Sequence, residues 1–139
     1  MNSRELLLTT VETNEAIVGI RRDGIIHIYF KSGTVIDIKL QNQLLQIYND
    51  LTKGKKSLFI FQGGPNCRLT KEARLNALKL DAIAPMAASV VCTINWYQKI
   101  IAEFYYILNK PNQKYLVTRD FEKGIRWLQQ VHADAQMTA

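Results

Sequence analysis

Ala16-Ile17-Val18-Gly19-Ile20-Arg21-Arg22-Asp23-Gly24-Ile25-Ile26-His27-Ile28-Tyr29-Phe30 is the stretch that decides the fold. Two runs rich in β-branched residues flank an Asp-Gly pair. Both turn residues tolerate positive φ, so the spacing predicts a β-hairpin closed by a two-residue primed turn. Upstream, Leu6 to Val11 offers a further strand at the edge.

Downstream the period changes. Lys31-Ser32-Gly33 turns the chain, and Asp37 is placed to cap a helix. Leu40, Leu44, Ile47, Tyr48 and Leu51 then fall on one helical face, with Gly54 as its stop. Ser57 to Phe61 is a short apolar run that suits a strand buried on both faces. Thr70 caps a second helix through about Leu80, with Ala73, Ala77 and Leu78 along one side. Met86 to Thr93 is the next buried strand, and Asn95 caps a third helix that Asn109-Lys110-Pro111-Asn112 ends. Tyr115 to Thr118 is the last strand, and Asp120 caps a final helix carrying Phe121, Ile125, Leu128 and Val131 inward. After the hairpin, strands alternate with helices, which predicts parallel neighbours joined by right-handed crossovers.

The chain has 139 residues, 47% of them hydrophobic, enough for one domain with its own core. Eighteen Lys and Arg stand against twelve Asp and Glu, and the excess of six positive charges divides evenly between the halves. No repeat, linker, basic arm or membrane-spanning run interrupts it. A single domain over residues 1–132 is expected, with 133–139 as a frayed tail. Cys67 and Cys92 form no CxxC pair, and His27 and His132 are isolated, so neither a metal nor another cofactor is expected. Two free thiols and an N-terminus without signal-peptide character point to the cytoplasm, with no membrane association.

Candidate chemistry is sparse. Gln62-Gly63-Gly64-Pro65 lies between a strand and a helix, where α/β domains bind phosphate, yet both glycine-rich phosphate motifs are missing. The plainer reading is a turn that needs positive φ. Cys67 lies near a helix start but lacks a partner base. Thr70, Glu72 and Arg74 offer a modification site or a partner contact; equally, they are a cap, a first-turn acid and an exposed cation. Lys53, Lys55 and Lys56 suit either a helix C-terminus or, clustered with Arg21 and Arg22, an anion-binding surface. Trp96 and Tyr105 fall outside the apolar stripe of the third helix. Exposed, they imply self-association or the wall of a small-molecule pocket; buried, they imply a helix covered on both faces. No carboxylate pair, Ser/His/Asp set or HExxH is present, so an enzyme is not expected.

Thr70-Lys71-Glu72-Ala73-Arg74, the Ala-rich strand Ala84 to Val91, Ile100-Ile101-Ala102-Glu103-Phe104, Asn109-Lys110-Pro111 and Asp120-Phe121-Glu122-Lys123-Gly124-Ile125-Arg126-Trp127-Leu128 occur in that order. With the Asp23-Gly24 hairpin and Gly33…Val35-Ile36-Asp37, they resemble a group of small, largely uncharacterised bacterial domains common in Bacteroidetes. That group is similar to the STAS domain of sporulation anti-sigma-factor antagonists. The resemblance covers about residues 14–130. It implies a STAS-like α/β fold: a mixed sheet of four to five strands with an N-terminal antiparallel hairpin and about four helices. It further implies a non-catalytic regulatory module that binds a protein partner and self-associates, rather than nucleic acid. In the antagonists a Ser at the start of the helix after the central strand is phosphorylated. Here Thr70-Lys71-Glu72-Ala73 replaces the Asp-Ser-x-Gly pattern, and Glu72 sits near the switch position with a charge that cannot be switched.

The expected interaction surface is therefore Gly63, Gly64, Thr70, Glu72 and Arg74, with Trp96 and Tyr105 as the self-association surface. The alternative is an anionic ligand or nucleic acid held on a basic surface.

Overall fold

A computed structural model of the chain describes the backbone of residues 7–109 and 113–138, and their side chains apart from residues 7, 8, 97, 104–109 and 138. The strands are β1 (Leu7–Glu12), β2 (Ala16–Arg21), β3 (Ile26–Phe30), β4 (Val35–Ile36), β5 (Ser57–Gly63), β6 (Arg68–Leu69), β7 (Met86–Cys92) and β8 (Lys114–Thr118). The helices are α1 (Ile38–Thr52), α2 (Lys71–Ile83), α3 (Trp96–Asn109) and α4 (Phe121–Thr138). Six strands form one mixed sheet in the order β1-β2-β3-β5-β7-β8; the edge strand offered by Leu6 to Val11 pairs with β2, which adds one to the four to five that the resemblance implies. β4 and β6 make a separate two-stranded parallel pair.

The order explains the layering. From β3 to β8 every parallel connection steps in the same direction across the sheet. Right-handed crossovers that all step one way place α1, α2 and α3 on one face. The chain then folds back, and α4 covers the other. Strand alternation sorts the side chains accordingly. Ala16, Val18, Ile26, Ile28, Phe30 and Phe59 meet Leu40, Leu44 and Tyr48 of α1. Ile25, Ile60, Ala88 and Val90 meet Ile125 and Leu128 of α4. Gly124 lets α4 come close, since a Cβ there would lie 2.8 Å from Val90 Cγ1.

The predicted caps are formed. Leu40 N–H donates to Asp37 Oδ1 (2.9 Å), Ala73 N–H to Thr70 Oγ1 (3.0 Å), Gln98 N–H to Asn95 Oδ1 (2.9 Å) and Lys123 N–H to Asp120 Oδ1 (3.2 Å).

Three expectations are corrected. The hairpin turn has three residues, not two. Gly24 N–H donates to Arg21 O, Arg21 N–H donates to Ile25 O, and at the Asp-Gly pair only Gly24 has positive φ. The Asp23 carboxylate accepts from Ile25 N–H and Arg21 Nε–H, and the left-handed position of the turn falls to Gly24 (φ 84°). The second helix runs to Ile83 rather than Leu80, stopping only before Pro85. Segment 133–138, expected to fray, continues α4; Ala133, Ala135, Gln136 and Met137 are strong helix formers without a Gly or Pro stop.

One part of the packing is loose. α2 lies along α1 and buries only Ala73, while Leu75, Leu78 and Ile83 stay exposed. Beneath it, between α1, α3 and the face of β5 and β7, lies a cavity of about 680 Å³.

Candidate functional site

The loop after β5 and the start of α2 gather at the C-terminal edge of the parallel strands. Gly64 N–H donates to Phe30 O (2.8 Å), Gly33 N–H to Pro65 O (2.9 Å), Arg68 N–H to Thr34 O (3.0 Å) and Thr70 N–H to Ile36 O (3.0 Å). Ser32 Oγ also donates to Pro65 O (3.0 Å). Residues 63–70 are thus stitched to the β3–β4 turn. Gly63, Gly64, Thr70, Glu72 and Arg74 lie on this loop and the first turn of α2, and Glu72 and Arg74 are exposed.

The double glycine has another cause than the one read from sequence. Neither Gly63 nor Gly64 has positive φ; the left-handed residue of this loop is Asn66 (φ 64°). Gly64 is needed for space, because a Cβ there would lie 2.9 Å from Tyr29 Oη and 3.0 Å from Ser32 N. Its N–H already donates to Phe30, and Pro65 has none. The loop therefore presents no free row of donors to a phosphate. Thr70 Oγ1 is the acceptor for Ala73 N–H, and the half-buried Cys67 thiol donates to Lys31 O (3.1 Å).

Trp96 is 63% exposed at the same edge, with Arg119 and Lys99 over its ring at 4.8 and 5.4 Å. The side chain of Tyr105 lies outside the described residues. Of the basic cluster, Arg21 is withdrawn from the surface. Lys53–Lys56 and the Asp23-Gly24 turn share the opposite end of the sheet, but Arg21 is buried, paired with Asp23 and stacked over Phe121. Lys56 Nζ donates to Ala84 O.

Two buried titratable groups lie elsewhere. His27 Nε2 is 3.1 Å from Gln62 Oε1 and the ring packs on Phe121. Burial lowers its pKa below 6.5; the Gln62 contact opposes this and the Arg21 charge adds to it. Burial raises the Cys92 thiol pKa, and the Asp120 charge raises it further. Neither group was singled out by the sequence, where His27 is one polar position in an apolar strand.

Among the described residues, no group of three or more His, Cys, Asp or Glu side chains could hold a metal ion, and no helix is long and apolar enough to cross a membrane. No curated protein matches the chain. A crystal structure of an uncharacterised protein of the DUF3478 family from Shewanella loihica PV-4, with a SpoIIAA-like fold, is similar over 86% of this chain and 98% of that one. The TM-score is 0.58 and the identity 12%. At that identity the likeness shows the fold, which is the STAS-like α/β architecture expected from the sequence. The family described as "Domain of unknown function (DUF7793)" matches residues 19–132, and the chain belongs to it.

Proposed function

We propose that the chain is a non-catalytic STAS-like interaction module, acting in regulation, that presents residues 63–74 to a protein partner. The observation that carries this reading is the stitching of that segment to the β3–β4 turn. Four backbone hydrogen bonds hold the loop that leads into α2, whose first turns carry exposed Glu72 and Arg74, with Leu75, 61% exposed, beside them. A preorganised loop loses little entropy on binding, and mixed charge beside an apolar anchor is the composition of an interface. Thr70 serves as the cap and Cys67 donates to a carbonyl, which leaves the segment binding groups rather than a nucleophile with its base.

The experiment is affinity capture of a partner from host extract with Glu72→Lys and Arg74→Glu as baits beside wild type. A partner kept by wild type and lost by both variants, with unchanged circular dichroism, supports the surface. Equal capture by all three baits refutes it. Self-association through Trp96 is the second element of the reading. It predicts a light-scattering mass above the monomer that Trp96→Ser returns to the monomer.

A further inference from the structure

The cavity under α2 has a defined polarity. β7 places Ser89 and Val91 beside Phe59 and Phe61 of β5, on the face shared with α1, and Thr93 just past its end lines the same cavity. Val91 and Phe61, with Leu44, Ala77 and Ala102, make the middle apolar. Each end is polar. At one, Thr93 is 9% exposed, and its Oγ1 is buried with no hydrogen-bond partner among the described residues. At the other, Gln113 reaches Ser89 Oγ (3.4 Å) and Met86 Sδ (3.3 Å) through one end of its amide. The other end of that amide, Oε1, is buried and unmatched in the same way.

Buried polar groups are ordinarily paired, and leaving one unmade costs about 1–3 kcal/mol. Two such groups on one cavity are a second observation, independent of its volume. Ser89 in β7 and Thr93 just past its end, where Thr93 N–H still donates to Thr118 O, are four residues apart on an extended segment, so the polar ends are separated by about 13 Å. The volume is that of a small-molecule site. Leu78 and Ile101 line the cavity yet are 41% and 48% exposed, which places its mouth between α2 and α3.

The geometry points to a ligand site in this cavity for a linear, largely aliphatic molecule with a neutral hydrogen-bonding group at each end, one met by Thr93 and the other by Gln113. A hydroxyl suits both positions, since it donates and accepts. Gly63, Gly64 and Arg74 of the proposed surface border this cavity, but the two groups that carry the site, Thr93 and Gln113, lie outside segment 63–74.

The test is calorimetric titration and thermal melting of the full chain with linear diols from octanediol to tetradecanediol, beside dodecanol and laurate. A diol of matching length binds more tightly than dodecanol. At a hundredfold excess over its Kd it raises Tm by roughly 8 °C. Thr93→Val and Gln113→Leu keep side-chain shape and each weaken the diol about five- to tenfold. Together they bring it to the level of dodecanol. Ala77→Trp, which fills the middle, abolishes binding. No binding by any diol to wild type overturns the site, as does a diol affinity indifferent to Thr93→Val and Gln113→Leu. Laurate binding more tightly than the diols and lost in Arg74→Gln also overturns it, since the head would then be read at the rim.

Discussion

Gly63 and Gly64 are adjacent, and alanine at the two positions is expected to give opposite results. At Gly64 an added Cβ would lie 3.0 Å from Ser32 N and 3.2 Å from Ser32 Cα. Tyr29 Oη, at 2.9 Å, can swing away, but the backbone of Ser32 cannot. That backbone is held by Gly33 N–H on Pro65 O and by Gly64 N–H on Phe30 O, so any yielding stretches these bonds. Overpacking of this kind costs about 1–3 kcal/mol. The stiffer unfolded chain of the alanine variant returns about 0.4–1 kcal/mol. The net loss is about 1–2 kcal/mol, or about 3–8 °C in Tm for a domain of this size. At Gly63 the new Cβ would meet only Cys67 Cβ and Sγ, each at 3.6 Å, which is ordinary contact. Gly63→Ala is therefore neutral or slightly stabilising. The assay is urea and thermal unfolding by circular dichroism, with equal m-values required before midpoints are compared. Equal midpoints for the two variants would refute the steric argument. A loss at Gly63 larger than at Gly64 would show that the loop does not sit against Ser32.

Gly124→Ala tests the other face. A helix gains about 1 kcal/mol from the exchange in an open position. The Cβ here would lie 2.8 Å from Val90 Cγ1, a stiff β-branched side chain on an inner strand, so the variant is expected to be net destabilised. Combined with Val90→Ala, the loss should be smaller than the sum of the singles; strict additivity would place α4 farther from β7. His27 gives a pH dependence. Its pKa in the fold lies below the 6.5 of the unfolded chain, so the unfolded state takes up the proton first. The stability it contributes is whole above pH 6.5 and is lost as pH falls from there through the lowered folded value. Acid titration of the unfolding midpoint should show this slope, reduced in His27→Gln; an unchanged slope assigns the loss to other groups. The two thiols should separate by reactivity. Cys92 is buried with a raised pKa and Cys67 is half-buried, so a disulfide reagent modifies one thiol quickly in the native chain and the second on denaturation. The fast phase should vanish in Cys67→Ser.

Most of the fold is local, and local patterns are what a sequence records. The hairpin follows from two β-branched runs around Asp23-Gly24, the four caps from Asp37, Thr70, Asn95 and Asp120, and the direction of the crossovers from alternating strands and helices. Hidden features depend on distance between elements. The β4–β6 pair is two residues long on each side and carries no period. The turn at Asp23 carries a salt bridge from Arg21, which the propensities of the dipeptide do not record. Gly64 reads as a turn glycine in sequence and is a spacing glycine in three dimensions, because Ser32 is thirty-two residues away in the chain. The cavity is the clearest case. Ala73, Ala77 and Leu78 are a weak apolar stripe, and in sequence that reads only as a modest helix. In the fold Ala77 and Leu78 line a cavity under α2 that is also bordered by Thr93 and Gln113, neither of which belongs to any motif. The chain therefore has two candidate surfaces of different origin. One is the stitched loop and helix start, whose residues are contiguous in sequence; the other is an interior slot defined by what α2 does not fill. The variants that separate them, Glu72→Lys outside and Thr93→Val inside, share no hydrogen-bond partner, so their effects on partner capture and on diol binding should be independent.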